Sequence, residues 1–198
     1  MRICLFGGTF DPIHKAHLRI AQEAKKELKL DRILFIPAAN PPHKDAAGLT
    51  PYEDRFRMVE RACSKYSGFI PSRIEEGNER SYSIQTVERV RGASGDEDDL
   101  FFLIGADAFD ELETWKRWQD LVGSVTFVVA ARPGREYKIP ERARVIRLDS
   151  LALPISSSEI RSHLAAGEPT PELPGSVRDY IKAHGLYGAA KRRTIVSR

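Results

Sequence analysis

Two short stretches carry the residues best suited to chemistry. The first is Phe6-Gly7-Gly8-Thr9-Phe10-Asp11-Pro12-Ile13-His14-Lys15-Ala16-His17. An apolar run, Ile3–Phe6, leads into it and a helical pattern follows. It therefore reads as a strand-to-helix turn, the place where open parallel sheets bind ligands. Gly7 and Gly8 lack a Cβ, so phosphate oxygens can approach the backbone closely. The N–H groups at a helix start, and the dipole behind them, favour anions. His14 and His17 are three residues apart and face one side of that turn. As imidazolium ions, with a pKa near working pH, they would donate hydrogen bonds to phosphate. A tight turn bearing two surface histidines is the plainer alternative.

The second stretch is Ile155-Ser156-Ser157-Ser158-Glu159-Ile160-Arg161. Ser156 and Glu159 have the spacing of a capping box, which by itself accounts for both. It does not account for Arg161, Ser157 or Ser158, and hydroxyls plus a guanidinium at a helix start suit an anion. Taken alone, this stretch is balanced between a structural cap and a binding site. Rival signatures are missing. The sequence has no G-x-G-x-x-G, no Walker A loop (no Gly is followed by Lys), no H-E-x-x-H and no G-x-S-x-G.

These stretches must be positioned by the elements around them. His17, Ala21, Ala24 and Leu28 recur at helical spacing, and Ile33–Ile36 reads as a second strand stopped by Pro37. The segment Pro37–Gly48 holds Asn40-Pro41-Pro42-His43-Lys44 and is long for a connection, as functional loops often are. Thr50-Pro51-Tyr52-Glu53 predicts a capped helix with proline first and Phe56, Val59, Cys63 and Tyr66 inward. A strand is expected over Phe69–Ile74 and a short helix around Ile84, Val87 and Val90. Leu100–Ile104, ended by Gly105, has the continuous apolar character of a buried parallel strand. Ala108, Leu112, Trp115 and Val122 then trace one helical face, and Val125–Ala130 and Val145–Leu148 are the last strands. Helices opening at Ser156 and covering about Ser176–His184, the latter ended by Gly185, complete the pattern. Strands alternating with helices predict an α/β fold: a Rossmann-like, doubly wound, mostly parallel sheet flanked by helices. One domain is expected over residues 1–188, with a small C-terminal helical part at about 155–188 and a basic tail at 189–198.

Composition narrows the partners. Among 198 residues, 31 Lys+Arg against 28 Asp+Glu gives a formal charge of +3, without the concentrated basic face of a nucleic-acid binder. No apolar run approaches the ~20 residues needed to cross a bilayer. The N-terminus is too short in apolar character, and too soon acidic at Asp11, for a signal peptide, so a cytoplasmic location is expected. Cys4 and Cys63 lack metal-ligand spacing and are expected to pack as small hydrophobes, and no metal site is predicted.

With these residues in place the sequence resembles a family. Gly7–His17 and Ile155–Arg161 resemble the paired motifs of the HxGH nucleotidyltransferases. Asn40–Lys44, Ser81-Tyr82-Ser83, Gly105-Ala106-Asp107, Thr114-Trp115 and the stretch Val177…Tyr187 are similar to the bacterial nicotinate-nucleotide adenylyltransferases. The resemblance runs in order from Cys4 to Tyr187, with Ala16 and Ser158 where relatives carry Gly and Thr.

It implies adenylyl transfer from ATP to nicotinate mononucleotide, giving nicotinate adenine dinucleotide and pyrophosphate in NAD biosynthesis, with Mg²⁺ arriving on the ATP. The same resemblance implies roles for particular residues. His14, His17 and Arg161 serve as catalytic phosphate ligands, and Gly7, Gly8, Thr9, Phe10, Gly105, Asp107, Ile155, Ser156 and Ser157 bind ATP. Asn40, Lys44, Ser83, Trp115, Lys116 and Arg132 bind the acceptor, with Trp115 as the ring platform and Lys44 and Arg132 on its phosphate. From spacing alone Trp115 is a core residue and Ser83 a helix cap. A sibling enzyme using nicotinamide mononucleotide or phosphopantetheine, and a non-catalytic nucleotide sensor, are the alternatives. No nucleic acid or membrane partner is expected, and a homo-oligomer is left open.

Overall fold

The computed structural model describes residues 1–41, 48–77, 80–95, 97–149 and 155–189. Lys44 and His43, and with them half of the Pro37–Gly48 segment, fall outside these residues, as does the basic tail beyond Ala189. The strands are β1 (Arg2–Gly8), β2 (Arg32–Pro37), β3 (Phe69–Pro71), β4 (Asp99–Gly105), β5 (Thr126–Ala131) and β6 (Arg144–Asp149). They form one sheet in the order β3-β2-β1-β4-β5-β6, with every pairing parallel. The helices are α1 (Lys15–Glu27), α2 (Tyr52–Cys63), α3 (Ser83–Ala93), α4 (Ala106–Asp110), α5 (Trp118–Ser124), α6 (Ser157–Ala166) and α7 (Gly175–His184). The doubly wound α/β expectation is met.

The apolar runs alternate faces with the period of two that a strand imposes. Cys4, Phe6, Phe101, Leu103 and Val128 enter one core with α1, α2, α6 and α7. Ile3, Leu5, Phe102, Ile104, Phe127 and Val129 enter the other with α3, α4 and α5. Burial pushes the thiols of Cys4 and Cys63 up to about 12, so both pack as inert small hydrophobes. Among the described residues no helix is long and apolar enough to cross a membrane.

Three local expectations change. At α2 the proline stands at the cap position, not the first helical one, and no side chain caps the helix. Pro51 has no N–H for the reciprocal bond of a capping box. Glu53 pairs with Arg57 at 2.8 Å and Arg73 at 2.7 Å instead. The expected strand to Ile74 stops at Pro71, at the sheet edge, since proline has no ladder donor to continue the pairing. The single helix expected through Ala108 and Val122 is broken: Trp115 is extended and Arg117 has φ 52, so α4, one 3₁₀ turn and α5 replace it.

One buried cation ties the pieces around the first turn together. Arg55 of α2 is 1% exposed. Its Nε donates to Thr50 O at 2.9 Å, and Nη1 to Thr9 O at 2.8 Å and Ala38 O at 2.7 Å, with Nη2 reaching Ala39 O at 3.3 Å. One guanidinium thus joins the ends of β1 and β2 to the start of α2. Removing it leaves several partly buried carbonyls without this donor. Arg55→Leu is expected to lower the unfolding free energy by about 3 kcal/mol, read from urea denaturation followed by circular dichroism.

Candidate active site

The sheet opens where β1 and β4 part. β1 stays paired with β2 as far as Gly8, but its pairing with β4 ends at Leu5 opposite Phe102. Chain order reverses between these strands, which is where a doubly wound sheet leaves its crevice. Two cavities lie there, one of about 580 Å³ and one of about 770 Å³. Both are walled by Phe6, Gly7, Leu103, Ile104 and Gly105, so they adjoin along the seam.

The larger cavity takes residues from both chemical stretches read from the sequence, although Gly8 and Thr9, expected to bind ATP, line only the smaller one. His14, His17, Asp107, Arg132, Ile155, Ser157 and Arg161 line it. The starts of α1 and α6 converge here and are bonded to each other. Ser157 Oγ donates to Pro12 O at 3.1 Å, and Arg161 Nη1 donates to Asp11 O at 2.7 Å. No acidic residue stands in the first turn of α1. Arg132, Arg135 and Arg161 supply three guanidinium groups against one carboxylate, Asp107, which Arg135 meets at 3.2 Å. The arrangement suits a polyphosphate.

The histidines are stacked, with ring centroids 3.8 Å apart. His14 is 4% exposed, and burial pushes its pKa down to about 4. Burial, with the neighbouring His14 ring, holds His17 well below its ordinary range as well. The expected imidazolium pair is therefore a neutral pair in the free protein. Neutral imidazole still donates one N–H. His17 Nδ1 accepts from the His14 backbone N–H at 3.3 Å, which places its proton on Nε2. The Nδ1 of His14 is buried with no hydrogen-bond partner among the described residues.

The smaller cavity is more apolar. Ile36, Phe102, Ile104 and Trp115 wall it, with Thr9, Ser83 and Lys116 at its rim. Trp115 packs edge-on to Phe102 at 6.3 Å and is only half-buried, because the helix break lifts it out of the core position that its spacing predicts. Tyr82, not Ser83, is the cap residue of α3, and no side chain caps that helix or places an acid in its first turn. Ser81, Tyr82 and Ser83 line the cavity, so the positive end of α3 is presented to it. Lys116 Nζ lies 4.1 Å above the Tyr82 ring.

Several expected site residues are placed elsewhere. Arg132 lines the larger cavity and not the smaller one, because it follows β5 beyond β4. Phe10 is 2% exposed with φ 50, and its ring folds over Gly8, where an added Cβ would lie 3.0 Å from it. The glycine there leaves room for a phenyl ring. Ser156 spends its hydroxyl within the capping box, accepting from Glu159 N at 3.1 Å and donating to Glu159 Oε2 at 2.8 Å. Asn40 lines neither cavity; its backbone N–H donates to Ser81 Oγ at 3.2 Å and its carbonyl accepts from the Ser81 N–H at 3.0 Å. Ala16 is buried in α1 and its methyl lines the larger cavity. Reading the sequence missed Arg135, Arg55 and Asp11. Asp11 is 3% exposed, takes a bond from Tyr187 Oη at 2.6 Å and one from Thr50 N at 3.4 Å, and so joins the C-terminal part to the turn.

Residues 5–163 match the family model described as cytidylyltransferase-like. A relative from Solibacter usitatus, named probable nicotinate-nucleotide adenylyltransferase, is 54% identical over 94% of this chain and all of its own length. One of the same name from Syntrophotalea carbinolica is 38% identical over 97% of this chain and all of its own. Among solved structures, Plasmodium falciparum nicotinic acid mononucleotide adenylyltransferase complexed with NaAD superposes with a TM-score of 0.79 at 21% identity, covering 96% of this chain and 98% of that one. The chain is a nucleotidyltransferase of the cytidylyltransferase-like family. Within that family it belongs to the nicotinate-nucleotide adenylyltransferases.

Two outcomes follow from the site's electrostatics. Arg161→Ala is expected to lower kcat/KM for ATP by about 100-fold in a pyrophosphate-release assay. The unfolded chain takes up protons on His14 and His17 below pH 6.5, while His14 in the folded protein stays neutral down to about 4. Stability present above 6.5 is thus lost as pH falls through that window. A His14→Asn, His17→Asn double variant is expected to lose less of its urea midpoint over the same range than the wild type.

Proposed function

We propose that the protein transfers the adenylyl group of ATP to nicotinate mononucleotide, releasing pyrophosphate and forming nicotinate adenine dinucleotide for NAD biosynthesis. The observation that carries this reading is the pair of adjoining cavities: a cation-rich one at two helix starts, and a more apolar one with an uncapped helix end. Names borne by relatives at 54% and 38% identity point the same way.

In this reading the triphosphate lies in the larger cavity with its α-phosphorus near Gly7 and Gly105, the glycines shared by both cavities. The acceptor's pyridine ring lies on Trp115 in the smaller one, its carboxylate toward the first turn of α3 and Lys116. A phosphate oxygen of the mononucleotide attacks the α-phosphorus, a new P–O bond forms, and the bond to the pyrophosphate oxygen breaks. The acceptor brings its own nucleophile, so the protein's work is alignment and charge stabilisation. His17 Nε2–H and His14 donate to the phosphates, and Arg161, Ser157 and the α6 N-terminus hold the leaving end. Arg135, beside Asp107 and Arg132, adds charge at the cavity edge.

Phosphate oxygens of the bound ATP, with water, would hold Mg²⁺. The residues suit that mode: the larger cavity offers one carboxylate, already paired with Arg135, and no group of three acidic, His or Cys ligands exists among the described residues. The metal would supply charge neutralisation on the phosphates. Lys44, which the family resemblance assigns to the acceptor phosphate, lies outside the described residues.

Steady-state rates with ATP and each mononucleotide test the reading. Nicotinate mononucleotide is expected to exceed nicotinamide mononucleotide in kcat/KM, and equal or reversed preference would overturn the assignment of the acceptor. His17→Ala is expected to lower kcat by about 100-fold, and a loss of only a few-fold would move the phosphate machinery elsewhere.

A further inference from the structure

The smaller cavity contains one acidic residue, and the mechanism above does not use it. Glu75 follows β3, is 6% exposed and lines the cavity. Its Oε1 accepts from Thr86 Oγ1 at 2.5 Å, and Thr86 sits one turn into α3, next to the helix end offered to the acceptor. Its Oε2 is buried and has no hydrogen-bond partner among the described residues. The buried Arg55 lies within the field of Glu75, but each of its recorded bonds goes to a backbone carbonyl. The two cations lining the cavity, Arg80 and Lys116, form no ion pair with Glu75.

An unpaired carboxylate oxygen in an apolar setting is unfavourable unless something that enters the cavity offsets it. A pyridine ring joined to ribose through its nitrogen is a quaternary cation, and Ile36, Phe102 and Ile104 would strip it of water. The acceptor's other charges, carboxylate and phosphate, are negative and match Lys116, Arg80 and the α3 N-terminus. Only the ring calls for a negative partner. We propose that Glu75 is the counter-charge to that ring, and that it makes the enzyme selective for acceptors whose ring carries a fixed positive charge over neutral rings of the same shape. This inference rests on the pyridine-nucleotide reading given above.

The test compares nicotinate mononucleotide with its neutral isostere, the 3-carboxyphenyl C-riboside 5′-phosphate, as acceptors for ATP. Each is run with the wild type, Glu75→Gln and Glu75→Asp. Glutamine keeps the length and the oxygen that Thr86 binds, and removes the charge. The wild type is expected to favour the cationic acceptor, and Glu75→Gln to reduce that preference about tenfold. The change should appear as a raised KM for nicotinate mononucleotide, with KM for ATP unmoved, while Glu75→Asp keeps most of the preference. Because the ratio is taken within one preparation, partial misfolding cancels. Equal losses with both acceptors, or an unchanged ratio, would show a merely structural Glu75 and overturn the inference. If Glu75→Gln proves insoluble, the wild type alone still decides: no preference for the charged ring overturns it. Inactivity of the wild type with nicotinate mononucleotide would overturn the proposed function itself, and the inference with it.

Discussion

Joining two phosphate-bearing molecules means holding like charges close together, and the structure meets that demand at one place, where β1 and β4 separate. Parallel strands end with their carbonyls and following helices on the same edge of the sheet. Chain order reverses between β1 and β4, so helices leave in opposite directions and a crevice remains. Gly7 and Gly105 form its floor and belong to both cavities. Charges on either side of that floor are separated by kind. Guanidinium groups and helix starts surround one cavity, and hydrophobic walls with a helix end surround the other.

The crevice is held open by bonds between segments far apart in the chain. Arg55 gathers carbonyls from the ends of β1 and β2 and from the segment before α2. Asp11 bonds Tyr187 from the end of the chain, and Arg161 and Ser157 reach back to carbonyls of Asp11 and Pro12. Lys15 adds a backbone bond to Glu172 at 2.9 Å. The C-terminal helices are thereby bolted onto the first turn. Their hydrophobic residues Ile160, Leu164, Val177 and Ile181 enter the same core as Cys4 and Phe6. A guanidinium donating to a neutral carbonyl retains its charge, so Arg161 serves as a strut and still presents positive potential to the larger cavity.

The neutral histidines suit this design. Two imidazolium rings 3.8 Å apart would repel each other in a partly dry site. As neutral donors they could order phosphate oxygens without that repulsion, and the arginines would supply the net charge. An arriving polyanion would pull protons toward the pair, so histidine charge and phosphate binding are thermodynamically linked.

Much of this was legible in the residue order. Apolar runs marked β1, β2, β4 and β5, the first three ended by Gly or Pro, since a strand buried on both faces has little choice of composition. Capping chemistry marked α6 at Ser156 and Glu159, and Gly185 marked the end of α7 with φ 64. Gly7, His14, His17, Ser157, Arg161, Ser83 and Trp115 were found from local pattern and family resemblance, because each lies on a turn whose shape its neighbours dictate. Tertiary structure decided what depends on distant partners. The helix break at Arg117, the side of the crevice taken by Arg132 and the bonds made by Arg55 and Asp11 all involve segments far apart in the chain. The same holds for histidine charge and for the solitary oxygen of Glu75. Dehydration is a property of the folded surroundings, and no spacing along a chain encodes it.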